Sequence, residues 1–259
     1  MKKITLDEYR AKYKNFFKEI CAFLEDNNLE YSIAFGTMLG AIRHQDMIPW
    51  DVDIDIYMHK NEADKIFGLL SKLPQNIIFS SYVDNAEVFG EYRFYNKTIA
   101  RSDFPGDFKY ANIDIFVYDF FDNKEEMKKA GKKIRKYVGK ALIKKSKRIP
   151  KNFFKKIIKN VYKLFCPSLA SANKKCANIL SKLKKGGKYL GTFAFDGMIE
   201  PVIPSEEYVK VKFGDLECSV FKNYDDFLIA SYGKGYMTPI VNNEVFDFTF
   251  MELNSDENI

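Results

Sequence analysis

Along the first 25 residues the apolar side chains recur three and four apart: Leu6, Tyr9, Tyr13, Phe16, Phe17, Ile20 and Leu24. That is the period of an amphipathic helix. Thr5 and Glu8 form the capping box that would satisfy its first free N–H groups. Tyr31 to Phe35 reads as a strand ending at Gly36, and residues 37–44 fit a short helix beginning at that turn. From Asp51 to Met58 the period becomes two. A strand alternates its side chains between faces, so Val52, Ile54 and Ile56 turn inward and Asp51, Asp53 and Asp55 turn out together. A helix from about Asn61 to Leu73 follows, then strands near Ile77–Val83, Val88–Tyr95 and Ile113–Tyr118.

The chain between 124 and 188 is patterned differently. Ile134, Tyr137, Val138, Ala141 and Leu142 make one helical stripe. Phe153, Phe154, Ile157, Ile158, Val161, Tyr162 and Phe165 make a second, among Lys151, Lys155, Lys156, Lys159 and Lys163. Pro150 suits the start of the second helix. Beyond Gly186-Gly187 short strands and turns resume, punctuated by Pro201, Pro204 and Gly214. Asp225 to Tyr232 reads as a short helix, and the acidic tail Asn254–Ile259 as frayed.

Charge changes this picture more than composition does. Residues 124–188 carry 23 Lys or Arg against Glu125 and Glu126, a balance of +21, while the rest of the 259-residue chain balances at −15. The organisation expected is an acidic core over 1–123, a basic amphipathic helical insertion over 124–188, and a C-terminal part over 189–259 that completes the core. The insertion could lie on an anionic membrane surface or pack its stripes inward and leave its lysines in water. There is no RNA-binding or helix-turn-helix signature, so no nucleic acid is expected as a partner. With only His44 and His59 a histidine-rich zinc site is excluded. Cys21, Cys166, Cys176 and Cys218 show no close pairing, which suits reduced, buried thiols in a cytoplasmic chain. The N-terminus MKKITLDEYR lacks the apolar core of a signal peptide, and no run of about 18 apolar residues is long enough to span a bilayer.

The candidate chemistry sits between Gly36 and Asp55. Carboxylates two apart on one strand face can share divalent ions, which in two-metal phosphoryl sites lie about 3.5–4 Å apart. The Gly36-Thr37 turn lets a phosphate approach backbone N–H groups at a helix start. Arg43 lies one or two turns along that helix as a phosphate clamp, beside His44. Asp114, alternating with Ile113, Ile115 and Val117, would bring a third carboxylate on a neighbouring strand, as a metal ligand or a general base. Arg93 and Lys97 fall between the acidic strands, where either could neutralise a diphosphate. On alternation alone, a solvated acidic edge strand explains the aspartates as well.

The stretch Gly36-Thr37-Met38-Leu39-Gly40-Ala41-Ile42-Arg43-His44, followed by Ile48-Pro49-Trp50-Asp51-Val52-Asp53-Ile54-Asp55-Ile56, resembles the signature of the LicD family. Asn112 to Asp119 is similar to that family's second acidic strand. Tyr224-Asp225-Asp226-Phe227-Leu228, Tyr232-Gly233 and Tyr236-Met237-Thr238-Pro239 extend the resemblance toward the C-terminus. Many members have a further Asp where this chain has Val52, a position facing away from Asp53 and Asp55. The resemblance implies an α/β (α+β), nucleotidyltransferase-like fold, a mixed sheet flanked by helices. It implies Asp53, Asp55 and Asp114 as catalytic and metal-binding residues, and Gly36, Thr37, Arg43, His44, Trp50 and Asp51 around the substrate, where Arg93, by its place between the acidic strands, is a further candidate. The cofactor implied is Mg²⁺, with Mn²⁺ as the alternative. The activity implied moves phosphocholine from CDP-choline to a hydroxyl of a glycan or lipid-linked glycan, as in lipopolysaccharide or teichoic acid synthesis, at the inner face of the membrane. Transfer from CDP-ribitol or CDP-glycerol, nucleotidyl transfer from a nucleoside triphosphate, and a non-catalytic glycan- or membrane-binding role stay open beside it.

Overall fold

The computed structural model describes residues 1–102, 108–145, 161–192, 202–239 and 248–254. Pro150, Phe153, Phe154, Ile157, Ile158 and tail residues 255–259 lie outside them. The fold is α+β, a mixed sheet flanked by helices, as the resemblance implied. Its residues fall into two compact units: residues 1–79, 93–116 and 204–259 form the first, residues 80–92 and 117–203 the second.

In the first unit the strands are β1 (Lys2–Ile4), β2 (Ser32–Ile33), β3 (Ile54–His59), the larger parts of β4 (Ile77–Ser81), β5 (Glu91–Ser102) and β6 (Phe108–Phe121), β8 (Tyr208–Phe213), β9 (Leu216–Phe221) and β10 (Thr249–Glu252). The sheet order is β1-β10-β5-β6-β3-β2, with β4 on β5; β8 and β9 form a separate antiparallel pair. Helix α1 (Leu6–Asp26) has the expected capping box, in which Glu8 N donates to Thr5 Oγ1 at 3.2 Å and Thr5 N to Glu8 Oε2 at 2.8 Å. Its Tyr9, Tyr13, Phe16, Phe17, Ile20 and Leu24 are buried. The Tyr9 ring meets Phe250 at 4.5 Å and Phe17 meets Phe213 edge-on at 5.6 Å. Each such buried side chain stabilises by about 1.5–3 kcal/mol relative to exposure, so this face fixes α1 to its unit.

Helix α2 (Phe35–His44) begins two residues earlier than the sequence suggested, taking Gly36 and Thr37 into its first turn. Ala34 provides no side-chain cap; instead Phe35 enters with φ 43°, a left-handed conformation unusual for a bulky residue. Regular strand in β3 starts only at Ile54, not at Asp51. The backbone upstream is engaged elsewhere. Asp51 N donates to Ile48 O at 2.9 Å, Val52 N to Asp51 Oδ1 at 3.0 Å, and Arg101 Nη1 to Val52 O at 2.8 Å. The alternation survives regardless, because Val52, Ile54 and Ile56 are buried while Asp51, Asp53 and Asp55 keep accessible surface. Past β3 the expected single helix is α3 (Lys60–Lys65) followed by two 3₁₀ turns, since only Ala63 and Ile66 of that stretch are buried enough to hold a helical face. Helix α6 (Tyr224–Tyr232) closes the unit's helices.

In the second unit, α4 (Lys124–Lys145) packs on α5 (Leu169–Leu180). Ile134, Val138 and Ala141 of the first stripe are buried there, beside Met127 and Ala130. Strand β7 (Tyr189–Thr192) pairs antiparallel with the end of β6, Tyr118 opposite Thr192. Asn173 Nδ2 donates to Tyr82 O at 3.1 Å and Glu87 O at 3.0 Å, tying α5 to the loop after β4. All four cysteines are free and buried. Among the described residues no helix is long and apolar enough to cross a membrane.

Candidate active site

Four carboxylates gather in the first unit, Asp51 and Asp53 before β3, Asp55 in it and Asp114 in β6. Burial is the main reason Asp55 holds its proton far above the ordinary range. The charges of Asp53, Asp114 and Asp51 push the same way, and Arg101 opposes them. Burial likewise pushes Asp51 up to about 7, helped by a hydrogen bond and charge from Asp53 and opposed by the N–H groups of Val52 and Asp53. Desolvation and like charge together favour the neutral acid. Such a cluster repels a second anion and invites a cation.

The neighbours explain how the cluster is held. Thr37 Oγ1 accepts from Asp55 N at 2.9 Å, pinning the start of α2 to β3. Gly36 permits a close approach: a Cβ there would lie 3.0 Å from Asp51 Oδ2. The Asp51 carboxylate therefore sits against the first turn of α2, where the sequence suggested a phosphate would bind. Gly40 has a similar reason, since a Cβ would meet Asp46 O at 2.7 Å. Arg93 Nε pairs with Asp114 Oδ1 at 2.5 Å, both side chains partly exposed.

The structure thus brings Asp51, Asp53, Asp55, Asp114, Arg93, Gly36 and Thr37 together. Arg43 and His44 face other partners. Arg43 Nε donates to His44 Nε2 at 2.9 Å and Arg43 Nη1 to Tyr236 O at 2.9 Å, tying the end of α2 to the 233–238 turn. Burial and the Arg43 charge hold the His44 imidazole below its usual range, as an accepting Nε2 requires. Trp50 is exposed and presents an edge contact to His44, 6.4 Å between ring centres. Lys97 is anchored by its backbone N to Asn76 O at 2.9 Å.

Three residues not singled out for the site by the sequence belong to it. Arg101 holds Val52 O and is the cation that acts on Asp55. It stands eight residues after Arg93, an even strand spacing, but beyond the strand end expected at Tyr95. Tyr13 is fully buried. Its hydroxyl donates to Asn112 O and accepts from Ile54 N at 3.1 Å, joining α1, β6 and β3 beneath the aspartates. Tyr232 ends α6, and its hydroxyl is pushed up to about 12 by burial and then by Asp51 and Asp55. The helical period marks Tyr13 as core and cannot show its polar end, and a helix-terminal Tyr carries no signal of its own.

A metal fits this site by chemistry more than by ready geometry. Among the described residues no three His, Cys, Asp or Glu side chains stand together to grip one ion. Mg²⁺ needs less than that, because it is commonly held by one or two carboxylates with waters and substrate phosphates. Hard oxygen donors that repel one another without a cation suit it, and Asp53 and Asp55 are the residues that would hold it.

Residues 28–158 match the model of the LicD/FKTN/FKRP nucleotidyltransferase domain. The chain belongs to the LicD family. Over 130 residues it is 32% identical to the lipopolysaccharide cholinephosphotransferase LicD of Haemophilus influenzae, covering 49% of each chain. It is 50% identical over 71 residues to an uncharacterised protein of Rickettsia prowazekii, covering 23% of this chain and 27% of that one. A Rickettsia typhi protein, also uncharacterised, is 41% identical over 64 residues, 24% of this chain and 21% of its own. The chain thus spans about half the length, or less, of the curated relatives it matches. The region matched to the family contains Asp51, Asp53, Asp55 and Asp114.

Proposed function

We propose that this LicD-family chain transfers phosphocholine from CDP-choline to a glycan hydroxyl, releasing CMP. The observation that carries the reading is the carboxylate cluster at the start of α2, where burial first and like charge second raise the proton affinity of Asp51 and Asp55. It needs a cation before it can accept a diphosphate. Support for the choline group comes from the Haemophilus relative's name and from Phe35 and Phe116. These two rings, 4.7 Å apart at 73°, are the half-buried members of an aromatic cluster beside Gly36 and Asp114. Aromatic faces attract quaternary ammonium groups.

In the reaction, the acceptor oxygen bonds to the phosphorus bearing choline as the bond from that phosphorus to the CMP oxygen breaks. The acceptor proton passes to a carboxylate, with Asp114 the proposed base, and CMP leaves with the bonding electron pair. Mg²⁺, when bound by Asp53 and Asp55, supplies positive charge against the diphosphate. Arg93 holds Asp114 in place, Arg101 fixes the Val52 backbone, and Thr37 with Tyr13 sets the position of β3. Arg43, through Tyr236, orders the turn after α6. The donor would be met on the cytoplasmic side of the membrane, and a lipopolysaccharide-type or lipid-linked glycan is the acceptor class proposed.

The test is CMP release from CDP-choline, CDP-ribitol and CDP-glycerol, with Mg²⁺ and with EDTA. CMP from CDP-choline alone, abolished by EDTA, is expected. CMP from another donor only would move the head group, pyrophosphate from a nucleoside triphosphate would change the reaction class, and no turnover of any donor would leave a binding role.

A further inference from the structure

We infer that the second unit carries a docking surface for an anionic lipid bilayer, formed by the end of α4 and residues 161–165. The role of this surface does not depend on which donor is used. Leu142 and Ile143 near the end of α4 are exposed, as are Val161 and Tyr162, while Leu164 and Phe165 are each 79% exposed. The packing of the unit leaves this apolar surface in part uncovered, most of all at Leu164 and Phe165. The face of α4 that meets α5 is a different one, built from Met127, Ala130, Ile134, Val138 and Ala141. The two exposed groups are tied together: Lys144 Nζ donates to Cys166 O at 3.0 Å, and Phe165 N and Cys166 N close a turn onto Tyr162 O and Lys163 O at 3.1 and 3.2 Å. Large apolar residues at a held turn, left in water, mark an interaction site.

Charge selects the occupant. From Lys128 onward α4 carries only basic residues among its charged positions, ending in Lys140, Lys144 and Lys145, with Lys163 beside the exposed turn. Its acids, Glu125 and Glu126, are confined to the first turn. Apolar side chains in the acyl boundary with lysines reaching back to the headgroups is the interfacial arrangement. A second copy of the chain would bring the same dense positive charge against itself. A nucleic acid would meet the lysines but gain nothing from Leu142, Ile143 and Leu164. Of the Phe153–Phe165 stripe that the sequence offered for this role, Val161, Tyr162 and Phe165 are exposed, and residues 153–158 lie outside the described ones. The other stripe of the insertion is partly core. Its Ile134, Val138 and Ala141 are packing residues, and the available face is at the helix end.

The test uses the full chain with sucrose-loaded vesicles of phosphatidylcholine, with and without 30% phosphatidylglycerol. Sedimentation with the anionic vesicles only, reduced in high salt by screening, is expected. The pair Leu164→Ser and Phe165→Ser should weaken partitioning by about tenfold or more. Lys136→Ser with Lys145→Ser, both exposed on α4, should weaken it by about 25-fold, at about fivefold per basic residue. Both pairs are at exposed positions, so circular dichroism melting should stay at the wild-type value, and CMP release from CDP-choline should be unchanged. Equal binding to neutral vesicles or none to either, or an unfolded Leu164/Phe165 variant, overturns the inference. So does a concentration-dependent mass increase that the Leu164/Phe165 pair abolishes, which would mean self-association. Retention of a DNA duplex without retention of vesicles would assign the surface to nucleic acid instead.

Discussion

Without a cation, the aspartate cluster should destabilise the protein as pH rises. Asp51 moves from the usual carboxylate value near 4 up to about 7 in the folded protein, and Asp55 is also raised. A group that binds its proton more tightly when folded favours the folded state at low pH, and that advantage fades as pH climbs through the folded value. At about 1.4 kcal/mol per tenfold change in proton affinity, titrating Asp51 between pH 5 and pH 8.5 removes about 3 kcal/mol. This is an upper limit, because Asp51 keeps accessible surface and solvent screens its charge. For a chain of this size that is a fall of roughly 6–10 °C in Tm. His44 has the opposite sign below the usual imidazole range, since burial and the Arg43 charge hold its proton less tightly in the folded protein. The comparison therefore includes Asp51→Asn, which should flatten the profile in part, leaving the Asp55 and His44 contributions in place. Mg²⁺ at pH 8.5 should recover about 2.7 kcal/mol when present at a hundred times its Kd. The assay is thermal melting from pH 5 to 8.5 in EDTA and in Mg²⁺. A Tm in EDTA that is flat or rises with pH, and that Asp51→Asn leaves unchanged, would refute the reasoning.

Tyr13→Phe should lower stability by about 1–3 kcal/mol, because Ile54 N and Asn112 O lose a buried partner; urea unfolding checks it, and a neutral result would deny the hydroxyl its bracing role. Thr37→Val leaves the Asp55 N–H without its acceptor and should reduce both stability and rate, while Thr37→Ser should recover most of each in the same melting and CMP-release assays. Gly40→Ala places a methyl 2.7 Å from the Asp46 carbonyl and should cost about 1–3 kcal/mol of overpacking strain, read as a lower urea midpoint.

Much of this architecture is legible because it is periodic. Helix α1 follows from seven apolar positions and one capping box, and Val52, Ile54 and Ile56 are buried as their alternation requires. What escaped the pattern is backbone occupied by side chains. Asp51 Oδ1 and Arg101 take the Val52 N–H and C=O that would otherwise extend β3, so the strand starts three residues late. The left-handed Phe35 starts α2 early in the same way. Within the site, the motif marks the aspartates, whereas Arg101, Tyr13 and Tyr232 reach it from β5, α1 and α6 through the fold alone. For α4 the period identifies a stripe but not its cover: α5 supplies the cover for Ile134, Val138 and Ala141, and Leu142 and Ile143 fall outside it.

The central claim is that Asp53 and Asp55 together hold the charge that makes donor turnover possible. The most direct measurement is CMP release from CDP-choline in Mg²⁺ by wild type, Asp53→Asn and Asp55→Asn, each checked by thermal melting. The account predicts a loss of about 10²-fold or more in both variants, with Asp55→Asn melting at or above the wild-type temperature in EDTA because a buried, repelled carboxyl has been removed. Wild-type turnover in either folded variant would contradict it.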